Sequence, residues 1–302
     1  MSFEFARLSA LPAVALLATA CTSPTSADQP PQGAPITELL SQCEGKDGWS
    51  DPAPPVRLFA NVYNVGTCGI VVLLVLGDDG NVLLDGATEE AAPLVAENIK
   101  RLGVSLDSIK WIVTSHPHSD HVGGVAELLR LTGAKLAASK AAQLALENGG
   151  GDPADPQLGI GDKFAPVIVS RVLADEETLT LGNLALTLHM TPGHTPGSTS
   201  WSWQSCDGKD CRKVAFVDSV TAISDDDYRY SAHPDYVAAF SASLDRIATL
   251  DCDLLITPHP SASTLFERLA GDAPLTATGA CGNYAEWGRQ GLEARLERER
   301  TQ

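Results

Sequence analysis

The sequence has few positive charges and no long uninterrupted apolar segment. Among its 302 residues, Lys and Arg number 21 against 38 Asp and Glu, which gives a formal net charge of −17. Such a negative field repels phosphate backbones and anionic lipid surfaces, and so argues against a nucleic-acid-binding protein. No apolar run reaches the roughly 18 residues that a membrane-spanning helix requires. The hydrophobic fraction of 44% is still enough for a buried core, so a folded globular domain is expected.

Cysteine is also sparse, and its spacing does not fit a zinc ribbon because no two cysteines are separated by two residues. Cys206 and Cys211 have the spacing of a β-hairpin, so a disulfide bond between them needs little reach. Setting Cys21 aside, the simplest remaining pairs are Cys43 with Cys68 and Cys252 with Cys281. The sequence does not fix this connectivity. Disulfide bonds of this number predict an oxidising compartment.

The N-terminal segment predicts export. Arg7 precedes an apolar stretch that ends in Ala18-Thr19-Ala20, the small-x-small pattern of a signal-peptidase site. We therefore predict a signal peptide over residues 1–20 and a periplasmic or otherwise exported protein. Cys21 follows directly, as in a lipoprotein cleavage box, so a lipid anchor at this cysteine stays open. Residues 21–44 are rich in Pro, Ser, Thr, Gln and Ala and predict a flexible tether, which leaves residues 45–302 as one domain.

Strands that begin in hairpins and later alternate with helices predict an α/β protein. Apolar and β-branched runs mark the strands, and apolar residues spaced three to four apart mark the helices. The predicted strands are Arg57–Val65, Gly69–Leu76, Val82–Leu84, Ile109–Thr114, Thr178–Leu181, Leu184–Met190, Trp201–Gln204, Lys213–Val217 and Asp253–Thr257. The predicted helices are Glu89–Leu102, Val125–Leu131, Tyr236–Leu250 and Glu286–Arg300.

Histidine is scarce, with seven in the chain, yet three of them fall within one short segment. This segment, His116-Pro117-His118-Ser119-Asp120-His121, follows directly after a predicted buried strand. A tight turn can aim His116 and His118 at one ion, and Asp120 and His121 at a second, adjacent ion. The alternative, a solvated polar loop, does not account for this density of ligand-type side chains. The segment therefore predicts a centre for two metal ions.

Two further histidines lie on loops that follow predicted strands. His194 stands in Thr191-Pro192-Gly193-His194-Thr195-Pro196-Gly197, and His259 stands in Thr257-Pro258-His259-Pro260. A lone histidine of this kind is usually structural, but beside the first cluster both are predicted to be metal ligands. We interpret His189, which lies within a strand pattern, as structural, and His233 as a candidate for lining a cleft.

These motifs resemble the metallo-β-lactamase superfamily. His-x-His-x-Asp-His with a downstream Pro-Gly-His and a final Pro-His-Pro is similar to the metal-binding pattern of that superfamily, over about residues 45–300. Ser219, with no cysteine at the metal-proximal strand end, looks like the B3 subclass of zinc β-lactamases, and the three cysteine pairs resemble the disulfide set of some B3 enzymes. The resemblance implies an α/β fold of four layers, the αβ/βα sandwich, with residues 45–302 as the catalytic domain.

The resemblance also implies a role for each residue of the site. His116, His118 and His194 would hold one zinc ion, and Asp120, His121 and His259 would hold the second. Asp85 would brace the ligand loop, while Ser219, Thr221 and Gln157 would contact substrate. The implied reaction is hydrolysis of the β-lactam amide bond of carbapenems, cephalosporins and penicillins by a zinc-bound hydroxide that Asp120 orients. The resemblance further implies a monomer that acts on a small molecule.

Two other interpretations stay open. A thioester or lactone hydrolase of the same fold, similar to glyoxalase II or a quorum-quenching lactonase, bridges its metals with an Asp at a strand end, and Asp218 stands at nearly that place. Export and cysteine pairing favour the β-lactamase, because glyoxalase II is usually intracellular and reduced. A non-catalytic zinc-binding lipoprotein explains Cys21 and the tether. A structural zinc site, however, closes with four ligands and leaves no open position, so two zinc ions per chain would indicate an enzyme.

Overall fold

The protein is described here by a computed structural model that covers residues 1, 3 and 30–301. Apart from residues 1 and 3, the predicted signal peptide and Cys21 lie outside the described residues. The described residues from 31 to 301 belong to one compact unit. In the part of the chain from residue 30 to residue 301, no helix combines the length and the apolar character needed to cross a membrane.

Seven strands form the first sheet, in their order along the chain. They are β1 (Val56–Phe59), β2 (Val62–Asn64), β3 (Leu73–Val75), β4 (Asn81–Leu84), β5 (Ile109–Val113), β6 (Lys135–Ser139) and β7 (Arg171–Leu173). The strands from β1 to β4 pair antiparallel, and those from β4 to β7 pair parallel. Every residue of β3 and β4 is buried, because both faces of the sheet are covered.

Five strands form the second sheet, in the order β12-β11-β10-β9-β8. They are β8 (Thr178–Leu181), β9 (Leu184–Met190), β10 (Thr199–Asp207), β11 (Asp210–Phe216) and β12 (Leu254–Ile256). Only β11 and β12 pair parallel within this sheet. In the first half of β9, buried and more exposed residues alternate, as expected for a strand with one face on a core.

Helices cover the outer faces of both sheets, except that the first and the seventh helix pack against the core between the sheets. They are α1 (Ile36–Cys43), α2 (Ala92–Arg101), α3 (Ser119–Val122), α4 (Val125–Thr132), α5 (Lys140–Asn148), α6 (Pro234–Thr249), α7 (Leu265–Ala270) and α8 (Ala280–Thr301). One core lies between the sheets and includes Leu84 and Trp201. A second joins the first sheet to α2, α4 and α5, and a third joins the second sheet to α6 and α8. The four-layered αβ/βα sandwich predicted from the sequence is therefore confirmed.

Several local predictions do not hold. The predicted tether, residues 21–44, contains α1, in which Leu39 is fully buried in the core between the sheets. Its polar composition masked an apolar spacing of Ile36, Leu39 and Cys43, which lie on one helical face. The predicted strand Arg57–Val65 is divided into β1 and β2 by a turn at Ala60, whose φ is +47°.

Other elements lie where the sequence patterns indicated none or placed a different boundary. No element was predicted for β6, α5 and β7, although the structure forms all three. The last helix begins at Ala280 and not at Glu286. Within the predicted strand Gly69–Leu76, only Leu73–Val75 is paired with neighbouring strands.

The structure contains the three disulfide bonds that cysteine spacing predicted. Cys43–Cys68 joins α1 to the connection between β2 and β3, and Cys206–Cys211 closes the β10–β11 hairpin. Cys252–Cys281 joins the segment before β12 to the first turn of α8. These bonds therefore attach α1 and α8 to the two sheets.

Removing the Cys252–Cys281 bond should destabilise the protein more than removing the Cys206–Cys211 bond. The two bonds span 29 and 5 residues, so loss of loop-closure entropy in the unfolded chain predicts about 4 against about 2 kcal/mol. Urea unfolding of the double Cys→Ser variants, compared with wild type under oxidising conditions, measures both values. Equal losses of unfolding free energy in the two variants would contradict the predicted dependence on loop length.

A buried carboxylate attaches α8 to the segment that precedes α6. Glu299 accepts hydrogen bonds from the backbone N–H groups of Tyr230 (3.1 Å) and Ser231 (2.7 Å) and from Nε of Arg295 (2.6 Å). Burial raises the pKa of this carboxyl, but the hydrogen bonds from Ser231, Arg295 and Tyr230 outweigh that effect and lower its pKa to about 2.

This depressed pKa predicts a pH-dependent contribution to stability. The carboxylate stabilises the fold fully above its unfolded pKa near 4.5, and the contribution disappears as the pH falls towards about 2. The substitution Glu299→Gln should lower the free energy of unfolding at pH 7 by about 3 kcal/mol, and the difference from wild type should shrink below pH 4.5. Glu297→Gln, at a largely exposed position of the same helix, should have little effect at any pH. Denaturant unfolding across this pH range tests both variants.

Candidate metal centre

The ends of four strands meet at one edge of the sandwich and carry the site. Asp85 follows β4, the segment from His116 to His121 follows β5, Ser219 follows β11 and His259 follows β12. Because β4 and β5 are parallel neighbours, as are β11 and β12, the loops after them emerge on the same side of their sheets. His194 reaches the same place from the loop between β9 and β10.

The first group of ligand-type side chains consists of His116, His118 and His194, whose ligand atoms lie within 4.8 Å of one another. Nδ1 of His116 lies 2.7 Å from Oδ1 of Asp218, and both side chains are almost completely buried. Nε2 of His118 lies 2.9 Å from Oδ2 of Asp155. Each of these two imidazoles therefore has one ring nitrogen next to a carboxylate and keeps the other for the centre of the site.

His194 is oriented in the same way by a backbone carbonyl. Its Nδ1 lies 3.1 Å from the carbonyl oxygen of Thr221 and 3.0 Å from the hydroxyl of that residue. Its Nε2 is left towards the site, where the side-chain amide of Gln157 approaches it to 3.3 Å. The preceding Gly193 packs against Phe240, and a Cβ atom there would lie 2.2 Å from that ring. This close approach explains the glycine in the Pro-Gly-His motif.

The second group brings Asp120 and His121 together with His116, again with ligand atoms within 4.8 Å of one another. His259 lies beside them: its Nε2 is 3.2 Å from Nε2 of His121 and 3.3 Å from Oδ2 of Asp120. Nδ1 of His259 lies 3.2 Å from the carbonyl oxygen of Gly69, so its Nε2 also points to the centre.

Asp85 holds the ligand segment from behind. Its carboxylate accepts hydrogen bonds from the backbone N–H of Ser115 (2.6 Å) and from the hydroxyl of the same residue (2.7 Å). Oδ2 of Asp85 also lies 3.4 Å from Nδ1 of His121. Asp85 adopts a left-handed backbone conformation with φ of +66°, which is unfavourable for a residue other than glycine. The structure therefore places Asp85 against Ser115 and His121, at the start of and within the ligand-type segment.

The electrostatics of the site favour neutral imidazoles in the first group. Burial lowers the pKa of His116 well below its usual range, and burial together with the neighbouring histidines lowers the pKa of His194 to about 3. In the second group burial opposes the charge on His121, but Asp120 and Asp85 outweigh it and raise its pKa to about 10. Burial likewise raises the pKa of Asp120, but the His121 imidazolium more than reverses this, so the carboxyl stays ionised.

The donor set fits zinc. Neutral imidazole nitrogens and a carboxylate are ligands that zinc prefers, and ligating histidines commonly donate their second ring N–H to a carboxylate or carbonyl oxygen. His116, His118, His194 and His259 have this arrangement, with Asp218, Asp155, Thr221 and Gly69 as the oxygen partners. With His116 assigned to the first group and His259 completing the second, three candidate ligands for each ion would leave a fourth position open, as in catalytic and not structural zinc sites.

A cavity of about 490 Å³ opens over these side chains. Ser219, Thr221 and Gln157, the predicted substrate contacts, all line it, together with His118, Asp120, His194 and His259. Four roughly half-exposed apolar side chains also lie along its wall: Trp49, Ile160, Ile223 and Trp287. Within the described residues, the lining includes no Lys or Arg.

The two remaining histidines lie outside this cavity. His189 is buried, with Nε2 at 2.7 Å from the hydroxyl of Ser202 and Nδ1 at 3.0 Å from Oε1 of Glu176. His233 is exposed and stacks on Tyr228 with ring centroids 4.3 Å apart, so it does not line the cleft as proposed from the sequence. Sequence reasoning missed the position of Asp155, because no motif joins it to a ligand 37 residues away.

The family is shown by comparison with known proteins. A family model described as the metallo-β-lactamase superfamily matches residues 65–210. The crystal structure of the metallo-β-lactamase MIM-1 from Novosphingobium pentaromativorans is 50% identical, covers 88% of this chain and 98% of its own, and superposes with a TM-score of 0.86. MEM-A1, a subclass B3 metallo-β-lactamase from a soil metagenome library, is 37% identical, with 84% and 99% covered and a TM-score of 0.81. The chain belongs to the metallo-β-lactamase superfamily, and these structural neighbours include subclass B3 enzymes.

Curated relatives carry a different name. A hydroxyacylglutathione hydrolase of Anaeromyxobacter dehalogenans is 32% identical over 132 residues, which is 44% of this chain and 41% of the relative. A second, from Acidiphilium cryptum, is 26% identical over 186 residues, or 61% of this chain and 60% of the relative. The match therefore spans only about half of the length of these relatives.

The position of Asp218 yields a test of its role. If it only orients His116, Asp218→Asn should bind as many zinc ions as wild type, since the amide oxygen can still accept from Nδ1, while Asp218→Ala should weaken zinc binding about 10- to 100-fold. Competition with a chromogenic chelator measures both the number of ions and their affinity. Loss of one ion in the Asn variant would instead indicate that Asp218 bridges two metals.

Proposed function

We propose that this protein is a zinc-dependent β-lactamase that hydrolyses the amide bond of carbapenems, cephalosporins and penicillins, with two zinc ions per chain. The observation that carries the proposal is the place of Asp218. In a bridging role its carboxylate would lie between the two ligand groups, but its Oδ1 lies 2.7 Å from Nδ1 of His116, a contact that leaves Nε2 of this ring for the ligand groups. This arrangement supports a β-lactamase over the thioester or lactone hydrolase.

The lining of the cavity supports the same choice. A glutathione thioester carries two carboxylates, and a site that selects it gains from cationic side chains, yet no Lys or Arg lines the described cavity. The fused-ring nucleus of each β-lactam class named above carries one carboxylate. Hydroxyl groups of Ser219 and Thr221 stand in the cavity and can donate hydrogen bonds to it. The solved relatives, matched over nearly their whole length, also support this proposal more than partial matches do.

The side chains of the site would divide the reaction between them. When bound, zinc lowers the pKa of water and polarises a carbonyl group. His116, His118 and His194 would hold the first ion, and Asp120, His121 and His259 the second. Asp120, which stays ionised, would accept a hydrogen bond from the attacking water and orient it. Ser219, Thr221 and Gln157 would position the substrate. Hydrolysis adds the hydroxyl to the carbonyl carbon and a proton to the departing nitrogen.

We also propose how the chain reaches its place of action. Residues 1–20 would direct export, Cys21 would be either the first mature residue or a lipid attachment site, and the catalytic domain would act as a monomer. The three disulfide bonds support an oxidising compartment such as the periplasm. Since α1 is part of the fold, the catalytic domain would begin before residue 36 and not at residue 45.

The purified protein should open a carbapenem and a chromogenic cephalosporin, and a zinc chelator should abolish the turnover until zinc is restored. His116→Ala should lower kcat/KM at least about 1000-fold, because a ligand of the first ion is lost. Ser219→Ala should mainly raise KM, as expected for a substrate contact and not for a nucleophile.

Initial rates with S-lactoylglutathione on the same preparations provide the comparison. Turnover of the thioester by the zinc-loaded protein, without opening of either β-lactam, would overturn the proposal.

A further inference from the structure

One carboxylate touches both a proposed metal ligand and the substrate-facing loop. Oδ2 of Asp155 lies 2.9 Å from Nε2 of His118, and Oδ1 of the same side chain accepts a hydrogen bond of 2.8 Å from the backbone N–H of Gln157. The side chain of Asp155 is only 11% exposed, so both contacts are shielded from water. Neither the family motif nor any comparison assigns a role to this residue.

We propose that Asp155 is a positioning residue that couples metal binding at His118 to the conformation of residues 152–161, called here the Gln157 segment. This inference rests on the proposed role of His118 as a ligand. A metal ion on Nδ1 of His118 makes the Nε2–H group a stronger donor and fixes the ring, which strengthens its hydrogen bond to the carboxylate. The carboxylate held in this way fixes the backbone N–H of Gln157.

The Gln157 segment has few other fixed points. Its internal hydrogen bonds are local, such as Leu158 N–H to the Asp155 carbonyl (3.1 Å) and Gly161 N–H to the Gln157 carbonyl (2.8 Å). Its apolar side chains Leu158 and Ile160 are 43% and 58% exposed, so they add little packing. A segment with few buried contacts is easily shifted by one strong interaction.

A second anchor keeps the segment in place without linking it to the metal. Asp225 accepts a hydrogen bond from the N–H of Gly159 (2.8 Å), and its own N–H donates to the carbonyl of Pro156 (2.9 Å). Replacing Asp155 is therefore expected to leave the fold and the general path of the segment intact. What it removes is the connection between His118 and Gln157.

The consequence is that the cavity wall is completed only in the metal-loaded protein. Because coupling is reciprocal, zinc should order the Gln157 segment, and the ordered segment should in turn increase zinc affinity. Gln157 would then face substrate in a defined position when the metals needed for hydrolysis are present. In the metal-free protein the same side chain would sample several positions.

Hydrogen exchange of the full protein, with and without zinc, tests the coupling without any substrate. The main variant is Asp155→Asn, which keeps the shape but offers a single acceptor oxygen for two donors. Asp155→Ala removes both contacts and serves as a second variant. The matched control is Asp152→Asn in the same segment. Oδ1 of Asp152 accepts a hydrogen bond from the N–H of Ala154 (2.9 Å), which is not a proposed metal ligand.

Zinc should slow amide exchange in residues 152–161 at least about tenfold in wild type and in the Asp152 variant, but less than about twofold in both Asp155 variants. Zinc affinity should fall about 10- to 100-fold in the Asp155 variants alone. Equal zinc protection in Asp155→Asn, or none in wild type, would overturn the inference. Because no substrate is involved, these outcomes are independent of whether the protein opens β-lactams.

Discussion

Each imidazole of the site must present one unprotonated nitrogen to the centre, and this requirement governs the surrounding structure. A histidine meets it only when an oxygen atom holds its other ring nitrogen, because that contact fixes both the tautomer and the direction of the ring. The oxygens come from separate parts of the chain, namely Asp218 after β11, Asp155 between α5 and β7, Thr221 after Asp218, Gly69 before β3 and, beside His121, Asp85 after β4. The metal centre is thus built from two layers of residues, and the outer layer requires the complete fold.

In the sandwich, the site is formed by the residues just beyond the ends of the strands and not by the strands themselves. Strands β4 and β12 are completely buried and β5 and β11 end in buried residues, so the edge where they stop is fixed by the packing of two sheets. The residues just beyond them are free to take unusual backbone geometry, as Asp85 does with a φ of +66°. Strain of this kind is tolerated because the Ser115 N–H and hydroxyl both donate to that carboxylate. Disulfide bonds then hold α1 and α8 against the sheets.

The fold class and the gathering of ligand-type side chains could be predicted from the sequence, because both leave short-range patterns. His116 to His121 lie within six residues, and the strand before them, Ile109–Val113, is apolar except for Lys110. The orienting partners could not be predicted, since Asp155 and Asp218 contact histidines 37 and 102 residues away. Similarly, α1 was hidden in a polar segment because its stability depends on burying Leu39 in a core formed by distant residues. Local sequence patterns therefore indicate which residues have ligand-type side chains, whereas their hydrogen-bond partners depend on which distant residues the fold brings close.

The charge of the molecule explains why the metals would govern substrate binding as well as chemistry. The chain has a net charge of −17, and the described cavity is lined by Asp120 and Asp162 with no Lys or Arg. An anionic substrate therefore meets a repulsive field until cations occupy the two ligand groups. The hydroxyl groups of Ser219 and Thr221 can orient a substrate carboxylate but add little binding energy, because neutral donors bind carboxylates less strongly than charged ones. In such a site the same ions would attract the carboxylate of the substrate and polarise the carbonyl group of the substrate. Through His118 and Asp155 they would also arrange the cavity wall. A protein that lacks its metals would therefore lose substrate binding and catalysis together.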